Sequence, residues 1–148
     1  MTTNEQTEVE VYPLGQLTDV YGCIEQDTRR KFLTTDVIIT SVNIAHMNEK
    51  HDNVYAQYGH LFRGAIESPD SILIAEQGRY YIVKQFFLDD GKEKYLTLLL
   101  QPKREDDPVN YCNKIVTAYV RGRKKFRQLV KNTPKLYYIR ESMAGILT

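Results

Sequence analysis

The chain has 148 residues, 42% of them hydrophobic and 26% charged, a balance that suits one globular domain and excludes a disordered or low-complexity polymer. No apolar run approaches the ~20 residues of a membrane-spanning helix, and the polar, acidic start "MTTNEQTEVEV" lacks the basic-then-apolar order of a secretory signal. The net charge of +1 hides a division: residues 1–111 carry 11 basic and 18 acidic side chains, net −7, and residues 112–148 carry 9 basic and one acidic, net +8.

Taken in chain order, residues 1–9 are expected to form a flexible tail, 10–140 a single domain and 141–148 a C-terminal tail. "VYPLGQL" and "DVIIT" (36–40) are apolar runs of strand length. Thr40 or Ser41 is a fitting helix cap, since a hydroxyl accepts a bond from a first-turn amide. That helix would carry His46 and end near His51, where "HDN" breaks it. Val54, Tyr55, Tyr58, Leu61, Phe62, Ala65 and Ile66 then follow one helical face, and Ser68-Pro69 stops the run because the residue before proline avoids helical geometry.

The period then changes. "SILIAE", "RYYIVKQFFL", "EKYLTLLLQ" and "CNKIVTAYV" are four strand-like runs rich in branched and aromatic residues. The turns "QG" and "DDGK" join the first three, so an antiparallel meander is expected. A longer loop, "PKREDDPVNY", precedes the last strand. "RGRKKFRQLVKN" reads as a basic amphipathic helix stopped by Pro134, and "KLYYI" as a final strand or a turn of helix. The expected fold class is α+β: N-terminal helices packed on a four-stranded antiparallel meander, with a basic C-terminal helix.

Cys23 and Cys112 match neither a zinc pattern nor a disulfide framework and read as reduced thiols, although one bridge between them is left open. His46 and His51 would point about 140° apart on a regular helix, unlike the i, i+4 pair of a zinc protease, so no metal ligands are assigned. If the helix ends between them, the rings can converge and serve as acid and base, since imidazole titrates near neutral pH. The ordinary alternative is two surface or capping residues.

On the last strand, alternation puts Val116, Ala118 and Val120 on a core face and Ile115, Thr117, Tyr119 and Arg121 on the other. The second face carries a hydroxyl, a phenol and a guanidinium, or is simply solvated. Lys84 inside "YYIVKQFF" is either an edge-strand charge or a cation aimed at a cleft. The run 121–131 holds six cations and no acid, which suits a phosphate-bearing partner or a solvated helix face.

The order "HMNEKH", "ESPDSIL", "YYIVKQF", "KIVTAYV" and "RGRKKFRQLVKNTPKLYY" resembles the barnase–EndoU–colicin–RelE-like (BECR) nuclease domains of phage, prophage and conjugative-element proteins, over roughly residues 10–138. The matching motifs are His46-Met47 with Lys50-His51, Pro69-Asp70, and Val116-Thr117-Ala118-Tyr119. Lys50 stands where the family has arginine, which keeps the charge but not the planar fork of donors.

The reduced thiols suit a cytoplasmic protein, and the resemblance implies a metal-independent endoribonuclease with no cofactor. Such a domain attacks the phosphate with the ribose 2′-hydroxyl, which only RNA carries. His46 and His51 would be base and acid, Thr117 and Tyr119 would hold phosphate oxygens, and Lys84 or Arg121 would stabilise the added charge. Arg123, Lys124, Lys125 and Arg127 would contact the RNA backbone. A toxin or phage-effector role, with a neutralising protein partner, follows from the same analogy. The competing expectations are a catalytically inactive nucleic-acid-binding or phage structural module, and an interaction protein using its tyrosines as a docking patch.

Overall fold

The computed structural model describes residues 8–14, 21–29, 32–108 and 111–147. Its centre is a seven-stranded mixed sheet in the order β1-β2-β6-β5-β4-β3-β7. The strands are β1 (Glu8–Pro13), β2 (Asp36–Thr40), β3 (Ser71–Ile74), β4 (Tyr80–Phe87), β5 (Glu93–Gln101), β6 (Asn113–Arg121) and β7 (Leu136–Ile139). The helices are α1 (Gly22–Thr28), α2 (Ser41–Lys50), α3 (Val54–Tyr58), α4 (Phe62–Glu67) and α5 (Arg123–Asn132). Short 3₁₀ turns cover Gly59–Leu61, Glu76–Gly78 and Glu141–Leu147.

The fold is α+β, but the expected four-stranded meander with helices before it is wrong. The antiparallel run β3-β4-β5-β6 forms as anticipated. It is extended by β7 beside β3 and by β2 and β1 beyond β6. β2 pairs with β6 in parallel, which makes the sheet mixed. The missed extension has a physical cause: a short strand gains most of its stability from its neighbours, and those lie far off in sequence. Glu8 and Val9, placed in the expected tail, begin β1; residues 1–7 lie outside the described residues.

Two cores follow from the alternation of side chains across the sheet. On one face, Ile39, Ile72, Ile82, Leu98 and Ile115 pack under α1 to α4 through Ile24, Met47, Phe62 and Ile66. On the other, Leu73, Val83 and Tyr95 meet Phe126 of α5 and Met143, and the Tyr95 and Phe126 rings stack at 4.5 Å. Met143 is only 1% exposed, so part of the stretch read as a C-terminal tail is core.

The single helix expected over 54–66 is broken into α3, a 3₁₀ turn and α4, although its apolar stripe still faces the core through Val54, Phe62, Ala65 and Ile66. The β4–β5 hairpin turns at Gly91, whose φ of 85° disfavours a side chain.

A register shift between β5 and β6 corrects the reading of the last strand. Leu99 faces Thr117 but Leu100 faces Ile115, so Val116 is a bulge residue. Below the bulge the alternation flips. Ile115, not Val116, joins Ala118 in the helix-covered core, while Thr117, Tyr119 and Arg121 share the opposite face.

Candidate functional site

Thr40 ends β2 in extended geometry (φ −105°, ψ 162°) and also caps α2, its Oγ1 accepting from the Asn43 amide at 3.3 Å. No loop separates strand from helix. β2 pairs with β6 only at Val37–Asn113 and Ile38–Lys114; beyond Thr40 the chain becomes α2, which packs against β6. This brings the end of α2 to the side of Tyr119.

α2 stops at Lys50, and His51 leaves helical geometry at φ −132°, ψ 47°. The 140° divergence of a continuous helix therefore does not apply. The His46 and His51 rings approach to 5.8 Å, edge to face. The next two residues, Asp52 and Asn53, both take left-handed backbone (φ 54° and 57°). Asn48 holds this tight turn, its Oδ1 accepting from the amides of Tyr55 and Ala56, each at 3.1 Å. Asn48 thus supplies the side-chain cap for α3 that Asn53, in αL geometry, does not.

His51 in turn lies 5.1 Å from the Tyr119 ring. Arg121 sits over that ring at 4.3 Å, and Tyr81 is 6.4 Å away. The rows Tyr81–Leu99–Thr117 and Val83–Thr97–Tyr119 run directly across β4, β5 and β6, so Tyr81, Thr117 and Tyr119 share a face. Gly122 follows Arg121 and caps α5 with no side-chain acceptor for its first-turn amides. The site is therefore built from the turn after α2, the far end of β6 and the start of α5.

Its electrostatics separate the two imidazoles. Burial lowers the pKa of His51 below its ordinary value, with His46 and Arg121 adding to the effect and Asp52 opposing it. His51 is half-buried, whereas His46 is exposed. Burial and a hydrogen bond with Tyr81 push the Tyr119 phenol up to about 12, with Arg121 pulling it back in part. Tyr119 is thus a neutral hydrogen-bond donor throughout the working pH range. The Thr117 Oγ1 and Arg121 Nε atoms are buried with no hydrogen-bond partner among the described residues. An unpaired buried polar atom is a place where a ligand oxygen is accepted, and these two lie two alternations apart on the same face of β6.

The sequence-expected residues divide. His46, His51, Tyr119 and Arg121 come together, and Thr117 lies on the same face one alternation away. Lys84 does not join them. It pairs across to Leu96, which faces Val120, so it lies on the helix-covered side of a central strand, neither at a sheet edge nor beside Tyr119. There its ammonium donates to the Ser68 carbonyl at 2.7 Å and lies 3.6 Å from Asp70. Asp70, 1% exposed, also meets Arg140 at 3.2 Å and accepts from the Gln85 amide at 2.8 Å. The Pro-Asp motif is thus a structural latch between β4 and the chain after β7.

On α5, Arg123 is engaged by Glu93 at 2.7 Å, while Lys124, Lys125 and Arg127 are exposed. Sequence reasoning missed Tyr81 and Asn48. The alternation Tyr81-Val83 could have placed Tyr81 on the right face, but nothing local predicts that Asn48 caps the next helix.

Cys23 and Cys112 form no disulfide, and among the described residues no three His, Cys, Asp or Glu side chains converge. No described helix is long and apolar enough to cross a membrane. Comparison with known proteins finds no matching family model, no matching curated protein and no matching solved structure.

Proposed function

We propose that this chain is an endoribonuclease of BECR-like character that cleaves RNA by attack of the ribose 2′-hydroxyl on its own phosphate. The observation that carries the reading is the convergence of His46, His51, Tyr119 and Arg121 from separate elements onto one surface. His51, held neutral by burial, takes the 2′-hydroxyl proton. His46 supplies a proton to the leaving 5′-oxygen. As the phosphorane gains negative charge, the Tyr119 phenol and the Arg121 guanidinium donate to its oxygens, with the Thr117 hydroxyl beside them. The product ends are a 2′,3′-cyclic phosphate and a 5′-hydroxyl.

The open start of α5 and the exposed Lys124, Lys125 and Arg127 offer the backbone phosphates a positive track. Binding would then weaken with added salt. Lys84 has no place in this scheme, and Arg123 enters it only through its pairing with Glu93.

The cationic helix favours a second reading, a nucleic-acid binder without chemistry, because it needs none of the histidines. Incubation with RNA in EDTA and analysis of the new ends separates the two. Cyclic phosphate ends support cleavage, and salt-sensitive binding with intact RNA supports the binder. A toxin role with a neutralising partner rests on family analogy and would follow only from the first outcome.

A further inference from the structure

A hollow of about 770 Å³ lies away from the histidines, among α1, the β3–β4 connection and the segment after β5. Its volume falls within the range of small-molecule sites. Aromatic and aliphatic groups line it: Phe32, Tyr80 and Tyr137, with Ile24, Leu33 and Ile74. The Tyr80 and Tyr137 rings meet edge to face at 5.7 Å, and since Tyr80 is buried, Phe32 and Tyr137 offer the accessible aromatic surface. Leu33 lines the hollow and is 48% exposed, so its side chain faces both the hollow and solvent.

One wall is a run of four charged residues, Lys103, Arg104, Glu105 and Asp106, whose formal charges cancel. The wall is anchored at Lys103 and Arg104, while the Glu105 and Asp106 side chains are exposed. The Lys103 amide donates to Asn113 Oδ1 at 2.8 Å, and the buried Asn113 donates in turn to the Thr34 carbonyl. The Arg104 amide donates to Asp107 Oδ2 at 2.7 Å, and the Arg104 guanidinium donates to the Gln77 carbonyl at 2.8 Å.

A pocket with aromatic walls and no net charge does not select a phosphate. It selects a flat, uncharged ring system whose edge carries both donors and acceptors. Carboxylates accept from amino and imino groups, and the cations donate to ring carbonyls and nitrogens. We infer that this hollow is a binding site for an uncharged planar heteroaromatic of the nucleobase class, with the ring against Phe32 and Tyr137 and its edge against residues 103–106. Guanine, with donors and acceptors along its edges, matches such a wall best. The inference is independent of RNA cleavage: the pocket can bind a free nucleoside whether or not the histidine site is active.

The test is titration of the intact chain with adenosine, guanosine, cytidine and uridine, followed by aromatic NMR signals and by calorimetry. The expected result is that guanosine shifts the resonances of Phe32, Tyr80 and Tyr137 with a dissociation constant of about 1 mM or tighter. Leu33→Glu, at an exposed position the fold tolerates, should weaken binding at least about tenfold, equivalent to 1.4 kcal/mol. Glu105→Gln with Asp106→Asn should narrow the preference for guanosine. No shift from any nucleoside, shifts confined to other residues, binding of nucleotides but not nucleosides, or unchanged binding in Leu33→Glu would each overturn the proposal.

Discussion

His51 and Tyr119 come from opposite layers yet place their rings 5.1 Å apart: the histidine ends a helix, and the tyrosine lies on the sheet face that carries α5. The contact exists because α2 runs off β2 beside β6 and its last turn reaches round to the phenol. Burial is the main cause of both the lowered pKa of His51 and the raised pKa of Tyr119.

Removing either imidazole should therefore cost catalysis without unfolding the chain. His46→Ala and His51→Ala are each expected to slow RNA cleavage by about 10²–10⁴-fold, the usual contribution of a general acid or base. Initial rates on a single-stranded RNA, with circular dichroism as the fold control, check this. Full activity in His46→Ala would remove the basis of the mechanism.

Tyr119→Phe keeps the ring packing and deletes only the donor. Loss of one transition-state donor costs about 10²–10³ in kcat, and KM should change little. A rise in KM alone would show that the phenol binds substrate without acting in the reaction.

The pH dependence follows from His51. Its folded pKa lies below the ordinary histidine value of 6.5, so the acidic limb of kcat/KM should have its midpoint under 6.5. The same shift bears on stability. As pH falls through 6.5 the unfolded chain takes up this proton first, so His51 lowers stability there and levels off only below its folded pKa. Glu93 acts lower down: Tyr95 and Arg123 hold its pKa below the ordinary 4.5, and the stability it adds above that value is lost as pH falls through the lower folded pKa. Rate profiles between pH 4 and 8 measure the first, and denaturant melts carried from pH 8 down to about pH 2 measure both stability effects. A midpoint at or above the ordinary histidine value would contradict the burial of His51.

Asp70 and Lys84 should matter for folding and not for chemistry. Asp70→Ala strands the Gln85 amide and removes the partner of Arg140, at a cost of about 1–3 kcal/mol. Lys84→Met should leave RNA cleavage unchanged at temperatures where the variant is folded. A large drop in kcat for Lys84→Met would mean that the two sheet faces communicate.

Asn48→Ala removes the acceptor for the Tyr55 and Ala56 amides and should cost about 1 kcal/mol. It also loosens the turn that aims His51, so cleavage should fall further than stability explains. Asn48→Asp, which keeps the acceptor, is expected to restore most of both.

Local signals were strong wherever local physics decides the outcome. Thr40 as a cap, Ser68-Pro69 as a stop and the β4–β5 hairpin are all readable from short-range chemistry. The seven-stranded sheet was not, because β7 and β1 are short strands completed by partners distant in sequence. The Val116 bulge was invisible for a related reason: strict alternation assigns Val116 to the core, and only pairing with β5 shows that Ile115 takes its place. At the candidate site, residue type and spacing singled out side chains but could not distinguish those that meet from those that do not. Lys84 looked equivalent to Arg121 until the register put them on opposite faces. Asn48 and Tyr81 carry no motif, since their roles arise from contacts across a turn and across a sheet.

The missing linker between β2 and α2 makes the imidazoles rigid riders on the sheet. With Thr40 serving both elements, there is no slack to absorb an extra residue. A single insertion at this junction would rotate the helix by about 100° and advance it by about 1.5 Å, carrying both imidazoles away from Tyr119. Tolerance for added length belongs instead to hairpin tips such as 88–92, where the chain can lengthen without retiming anything behind it.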